Sequence, residues 1–431
     1  MVPWPQRGLQ RLSHCTQPRP DGAVFICGVI MLEKLAQDEI WIEFLDYKCA
    51  RGLLGREEAK ALTDFIQDRA YLPMARQIIN GSYIFGIPER RELSKMGTDK
   101  KRVVYTFSFH ENMILKLLAY LLYRYDNLLA PNCYAFRREI GVRQAFTGLA
   151  RDPDISSLWC YKTDIRNYFN SIDTILLSDI LRAEIMDDPP LLQLLLSLIG
   201  DNRALWKGQV IREARGVMAG TPTSPFLANL YLKEVDFHFA GEQVRYARYS
   251  DDIIFFDTYE NLLRHQAVLN GFLDRYRLET NEKKEEMVPP GAAWSFLGFQ
   301  YENGAIDIAP ATVKKLMGRI RRAARSLRRW MLRKGAEPER ALKAFNRKFN
   351  RKFYSREGRD LCWSSWFFPL LTTDASLRRI DAFMQQYQRY LVTGRHNKAS
   401  LAKVPYSMLK ACGYRPLVSA YYGKWPEGKS D

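Results

Sequence analysis

The chain has 431 residues, enough for roughly two to four domains, and 47% of them are hydrophobic, so a large core can be buried. Sixty-five Lys and Arg oppose 48 Asp and Glu, a formal charge of +17 that favours a polyanionic partner, nucleic acid or an acidic membrane surface. At 13% aromatic residues the chain falls outside the disordered class, and seven scattered cysteines with no Cys-x-x-Cys pair argue against structural zinc and fit a reducing cytoplasm.

Residues 1–37 read as a poorly ordered N-terminal extension, rich in Pro and Gly at its start, with Met31 as a candidate start. Its apolar run, residues 22–32, is eleven residues long and too short to cross a bilayer. From 38 to 80 apolar residues recur at three and four, which predicts helices. "SYIFGIPERRELSKMGTDKKRVVYTFSF" predicts a strand, a charged loop with Gly97 and a second strand. Residues 110–128 predict an apolar helix, and 157–173, "SLWCYKTDIRNYFNSID", a strand running into a turn and helix. In "GTPTSPFLANLYLKEVDFHF", Ser224 before Pro225 predicts an N-cap with Pro at the first helical position. "VRYARYSDDIIFF" predicts a hairpin, and "WSFLGFQY" (294–301) a strand.

After about residue 310 the chain becomes helical and basic. The helix at 313–334 sets Leu316, Ile320, Ala324, Leu327 and Met331 on one face and Lys and Arg on most of the rest. Arg321, Arg325 and Arg328 follow at spacings of four and three and share a face, which suits a nucleic-acid backbone. Phe345, Phe349 and Phe353 form a stripe that predicts core packing.

Asp251 and Asp252 sit side by side between two apolar runs. Turn chemistry accounts for such a pair, because Asp is common in turns. A metal site accounts for it too, because adjacent carboxylates repel unless a cation or solvent neutralises them. Asp164, at the end of an apolar strand, is the third carboxylate that favours the second reading. The order is a strand ending in Asp164, a Gly-rich turn into a Ser-Pro helix, the Asp-Asp hairpin, then Lys283 and Lys284 before "FLGF".

These blocks resemble the reverse transcriptases. "YSDD" is similar to their Tyr-x-Asp-Asp hairpin, "DIRNYF" to the first catalytic-Asp block, and "SPFLAN" to the helix after the Gly-rich turn. "NEKK" is similar to the lysine block and "FLGF" to the primer-grip strand. "IPERRELSKMGTDKKRVVYTFSF" and "YAFRREIGVRQAF" resemble the fingers blocks of the bacterial retron and group II intron branch, so the likeness covers about residues 75–305. It implies an α+β right-hand polymerase fold. Residues 38–156 would be fingers with N-terminal helices, 157–305 the palm, and 306–431 a helical thumb and C-terminal region.

The resemblance implies an RNA-directed DNA polymerase that uses dNTPs and two Mg²⁺ about 3.5–4 Å apart. Asp164 and Asp251 would bridge the ions and Asp252 support them. Lys284 would donate a proton to pyrophosphate. Lys100, Lys101 and Arg102 fall where fingers cations hold the triphosphate, and Phe169 where a steric gate excludes a 2′-OH. One departure concerns the Gly-rich turn: Met218 and Ala219 stand where the family has Pro-Gln, so Ala219 occupies the place of a nucleotide-pocket Gln.

The tail "VPYSMLKACGYRPLVSAYYGKW" and the chain length are most similar to defence-associated reverse transcriptases of the unknown-group and abortive-infection kind, with class 2 the best fit in length. That implies a cytoplasmic enzyme, with no membrane partner, that copies a cognate noncoding RNA into cDNA in antiphage defence. A retron or mobile-element polymerase and an inactive RNA-binding scaffold remain as alternatives.

Overall fold

Amphipathic segments of the N-terminal half fold as α1 (Asp38–Ala50), α2 (Arg56–Gln67) and α3 (Leu72–Ile79). Trp41 is their centre, stacked on Tyr71 at 4.7 Å and edge-on to Phe65 at 5.5 Å. The computed structural model describes residues 31–94, 101–354 and 362–423. Most of the expected N-terminal extension therefore lies outside the described residues. Its last part does not behave as a poorly ordered extension. Met31–Ala36 is a 3₁₀ turn with Met31, Leu32 and Leu35 buried, and the Met31 backbone N–H donates to the buried Asp188 carboxylate at 2.7 Å. Burying three apolar side chains and pairing that N–H ties the segment to the body.

Next come the hairpin strands β1 (Glu89–Ser94) and β2 (Lys101–Thr106), α4 (Phe109–Leu121) with a 3₁₀ extension (Leu122–Leu128), and α5 (Val142–Ala150). The expected first strand is displaced: the apolar run 82–87 stays irregular, and the charged "ERRELS" pairs instead. Gly97 lies outside the described residues. α4 starts at Ser108, which accepts from the Glu111 N–H while the Glu111 carboxylate returns to the Ser108 N–H.

The central part runs β3 (Trp159–Asp164), α6 (Tyr168–Ser171), α7 (Thr174–Glu184), α8 (Pro189–Gly200), β4 (Arg203–Trp206) and β5 (Gln209–Arg212). It continues with α9 (Ser224–Tyr231), α10 (Lys233–Gly241), β6 (Arg245–Tyr249), β7 (Asp252–Asp257), α11 (Tyr259–Arg275) and β8 (Glu286–Val288). α9 begins with Ser224 as its first helical residue, after Thr223 as N-cap, one residue earlier than expected.

The C-terminal part holds β9 (Trp294–Phe296), β10 (Phe299–Glu302) and β11 (Ala305–Ile308), then α12 (Pro310–Lys334), α13 (Pro338–Phe353), α14 (Trp363–Phe367) and α15 (Ala375–Thr393). Three short helices follow: α16 (Ala399–Lys403), α17 (Tyr406–Ala411) and α18 (Leu417–Tyr421). The strand expected over 294–301 is two strands. Leu297 (φ 51°) and Gly298 (φ 92°) are both left-handed and make a two-residue hairpin turn between Phe296 and Phe299. No helix among the described residues is long and apolar enough to cross a membrane.

The sheets fix where the site lies. β6-β7-β3-β8 is antiparallel throughout and central. β2-β1-β4-β5 forms a second sheet, so a hairpin from beyond β3 completes the sheet begun by β1 and β2. Tyr161 and Phe255 turn one face of the central sheet to the core shared with α4, α7 and α9. Cys160, Ile254 and Phe256 turn the other to a core shared with α5, β9, β10, α12 and α15. The expected boundary at 305/306 therefore cuts through β11 and through one continuous core, in which Phe299 packs on Phe367 at 5.1 Å. Phe345, Phe349 and Phe353 are buried in it. The arrangement is α+β, a central antiparallel sheet flanked by helices with a helical C-terminal part, and it is the right-hand polymerase fold.

Candidate active site

β6 and β7 are joined by Ser250 and Asp251 alone, since Tyr249 and Asp252 are register partners. Two-residue hairpins of one type need a left-handed first residue, usually Gly. Here it is Ser250, at φ 63° and buried. Arg248 meets the cost of that conformation: its Nη1 donates to the Ser250 carbonyl at 3.1 Å. Arg248 is itself wholly buried, and its Nε and Nη2 bind the buried Asp236 carboxylate, which also accepts from the Tyr246 hydroxyl at 2.8 Å. A buried ion pair of this kind is costly to break, about 3–5 kcal/mol when one partner is lost. The Arg248 main chain is held too, donating to the Asn132 carbonyl at 3.0 Å and accepting from the Tyr134 N–H at 2.9 Å. The sequence reading passed over this pair. Its signal was an Arg at an inward strand position and an Asp within the apolar stretch "EVDFHF".

β3 delivers Asp164 beside the hairpin. Asp164 is the register partner of Asp252, and the next residue, Ile165, donates to the Asp251 carbonyl at 3.0 Å. The Asp164 carbonyl accepts from the Asn281 N–H at 2.8 Å, which brings in the turn carrying Lys284. The Lys284 ammonium donates to Asp164 Oδ2. The three expected carboxylates and the expected lysine thus meet at one end of the central sheet. Burial works against the charged Lys284 amine, but the bond to Asp164 and the charges of Asp164, Asp252 and Asp251 outweigh it and hold its pKa above the usual value. Asp252 is pushed up to about 6, first by desolvation and then by the Asp251 carboxylate beside it.

The donor set fits divalent metal. Asp164 Oδ1 is buried with no hydrogen-bond partner among the described residues, a lone pair set aside for a cation. Among the described residues no three His, Cys, Asp or Glu side chains form a cage by themselves. Mg²⁺ does not require one, since it keeps waters and substrate phosphates as ligands beside one or two carboxylates.

Next to the carboxylates the chain turns through Asn167 (φ 51°) into α6, which carries Tyr168 and Phe169. Tyr168 points into the core, with its hydroxyl donating to the Ala228 carbonyl. Phe169 is half-buried and faces Phe136 edge-on at 6.2 Å, and Phe136 in turn lies 6.3 Å from Tyr249. Phe136, exposed beside Phe169 and Tyr249, is a residue that the sequence reading missed. The Gly-rich turn closes over α6: the Gly216 and Val217 N–H groups donate to the carbonyls of Ile172 and Phe169. A Cβ at Gly216 (φ 100°) would stand 2.6 Å from the Asn170 Cα, so only Gly fits that contact. Ser224 secures the turn from below, donating to the Val217 and Met218 carbonyls at 2.7 and 2.9 Å.

Ala219 differs from its expected role. It is buried, and its carbonyl accepts from the Tyr105 N–H at 2.8 Å, so it seats β2 on the turn and does not line an open pocket. The same seating puts Val104 against Gly220. Arg102, two residues earlier on β2 and so on the same strand face, is exposed and forms no ion pair among the described residues. Lys101 is engaged with Glu92 at 2.8 Å, and Lys100 lies outside the described residues.

Of the three arginines expected to meet a nucleic-acid backbone, Arg321 and Arg325 are exposed on α12. Arg328 is not available in the expected way. Its Nη1 donates to the carbonyls of Leu391 and Val392 at 3.2 and 2.9 Å, capping the C-terminus of α15.

Residues 93–301 match the family described as Reverse transcriptase (RNA-dependent DNA polymerase). No curated protein matches the sequence. Solved structures with a similar trace include apo telomerase from Candida tropicalis truncated from its C-terminal domain (14% identity, TM-score 0.42), where the match covers 52% of this chain and 55% of that one. Telomerase from Candida albicans in complex with a TWJ fragment of telomeric RNA matches at 12% identity and TM-score 0.42, over 85% and 71% of the two chains. BmCPV RNA-dependent RNA polymerase at its elongation state matches at 12% and 0.43, over 66% of this chain and 28% of that one. Likeness at this level bears on neither activity nor partners. Residues 93–301 therefore form a reverse transcriptase domain, an RNA-directed DNA polymerase module.

Proposed function

We propose that the chain copies an RNA template into cDNA by nucleotidyl transfer from dNTPs, with Asp164, Asp251 and Asp252 as the ligands of two Mg²⁺. The observation that carries this is the unpartnered, buried Asp164 Oδ1 beside a hairpin that presents two further carboxylates. Bound there, the metal ions would acidify the primer 3′-hydroxyl and neutralise the leaving pyrophosphate. The chain's own groups do the rest. The Arg248–Asp236 pair fixes the turn so that the carboxylates do not drift apart. Lys284, kept protonated by its acidic neighbours, holds a proton beside Asp164 for the departing pyrophosphate. Arg102 binds the triphosphate from β2, Phe169 closes the sugar site against a 2′-OH, and Arg321 and Arg325 hold the template-primer backbone. The tail and length support a template that is a cognate noncoding RNA and a role in antiphage defence.

Replacing Asp251 and Asp252 together by Ala tests the reading. Extension of a DNA primer on RNA with dNTPs and Mg²⁺ should be lost, while RNA binding and the unfolding transition persist. Equal synthesis by the double variant would end the proposal.

A further inference from the structure

The C-terminal helices carry a cavity of about 410 Å³ whose walls are of two kinds. Lys315 and Arg319 come from α12 and Lys352 from α13, while Trp363 and Trp366 come from α14. Among the described residues no Asp or Glu lines it, and none of the three cations forms an ion pair. The described side chains thus give the cluster one sign of charge. Lys352 shows it: burial first, and the nearby Arg319 second, press its amine below the usual pKa. The ligand such a cluster suits is an anion.

The aromatic wall narrows the choice of anion. Trp363 is committed to the core, packed on Phe353 at 5.8 Å and Phe367 at 4.9 Å. Trp366 is 36% exposed and borders the cavity. Trp366 also borders a second cavity of about 350 Å³, which carries Arg51, Arg138 and Arg143 together with Glu139, the ion-pair partner of Arg51 and Arg138. One tryptophan therefore stands between the purely cationic hollow and one of mixed charge. A phosphate chain bearing unstacked bases meets all these features, with phosphates on the cations and a base on the indole. A duplex does not, since its bases are already stacked. The position differs from that of Arg321 and Arg325. At about 100° per residue, those two and the Lys315–Arg319 pair flank opposite edges of the buried α12 stripe.

We propose that the cavity of Lys315, Arg319, Lys352 and Trp366 is a binding site for single-stranded nucleic acid, separate from the catalytic carboxylates. It goes beyond the polymerase reading, since it holds a strand whether or not the carboxylates act.

The test measures binding of a short single-stranded RNA to the full chain at several salt concentrations. Lys315→Gln, Arg319→Gln and Lys352→Gln combined should weaken binding, with the log affinity against log salt slope shallower by about two, at roughly 0.7 per phosphate. Trp366→Ala should weaken binding about tenfold, and Trp366→Phe should recover most of it. Extension of a short primed template should be unchanged in all of them. An unchanged affinity and slope in the triple variant, or a Trp366→Phe as weak as Trp366→Ala, overturns the site. So does equally strong competition by a duplex or by a free nucleoside triphosphate. If the triple variant does not fold, photocrosslinking of wild-type protein to RNA carrying 5-iodouridine decides: a crosslink on Trp366 supports the site, and crosslinks confined to other regions overturn it. Failure of wild-type extension with these binding results intact would count against the polymerase reading alone.

Discussion

Lys284 is the hydrogen-bond donor to Asp164, reaching it from a 3₁₀ turn that the Asp164 main chain itself holds in place. The carboxylate and its counter-charge thus arrive together. Lys284→Gln should keep the turn and remove the proton. Expected is a fall of about a hundredfold or more in kcat, the range for a lost general acid, with template affinity nearly unchanged. Steady-state extension with a separate binding measurement checks it. A loss confined to affinity would make Lys284 only a counter-ion.

The Asp252 carboxyl titrates at about 6 in the metal-free fold against an ordinary 3.8. Between these values the folded chain holds more protons than the unfolded one, so this group makes stability fall as pH rises through the window. Asp252→Asn lacks that penalty. Its gain over wild type should be greatest above about pH 6 and fade towards pH 4, and it is modest because solvent reaches the side chain. Denaturant midpoints of both proteins in chelator, across that range, give the difference. A gain independent of pH would assign it to packing.

On the proposed reading, Phe169→Ala opens the wall beside the sugar of the incoming nucleotide. Incorporation of rNTPs relative to dNTPs should rise at least about tenfold. Tyr168 is no substitute gate, because it is buried and hydrogen-bonded in the core. Unchanged selection would leave Phe136, the ring facing Phe169, as the next residue to alter.

These three arginines of α12 should separate into two behaviours. Arg321→Gln with Arg325→Gln should make the salt slope of template-primer binding shallower by roughly 1.4–1.8, at 0.7–0.9 per phosphate, and leave stability intact. Arg328→Gln should leave the slope alone and cost about 1.5–3 kcal/mol of stability, as hydrogen bonds from a charged group to two carbonyls are lost. Salt titrations and unfolding curves on the same preparations distinguish them.

Much of the site was legible because its chemistry is local. Asp164 closes an apolar run, and Asp251 and Asp252 interrupt two β-prone runs, so the strand and hairpin announce themselves by pattern. Helix spacing likewise told of the Phe345, Phe349 and Phe353 stripe. What stayed hidden depends on partners distant in the chain. Periodicity places Arg328 with Arg321 and Arg325, but not beside the end of a helix more than sixty residues on. Ala219 aligns with a pocket position, yet β2 covers it. The charged "ERRELS" became a strand because β2 pairs with it along its whole length and β4 adds a contact at Glu89, pairings no local propensity reports.

The segment from Asn132 to Ala135 is pinned to β6 on both sides of Arg248 and again by Asn229, whose side-chain amide donates to the Ala135 carbonyl at 2.6 Å. Phe136 follows directly, so the ring that faces Phe169 is tied by these bonds to β6, the first strand of the Asp-Asp hairpin. On the proposed reading, the sugar of an incoming nucleotide meets a wall that is set before it arrives. Discrimination against ribose then belongs to the first encounter. It shows in the equilibrium affinity for the nucleotide, and not in the speed of any later closing step.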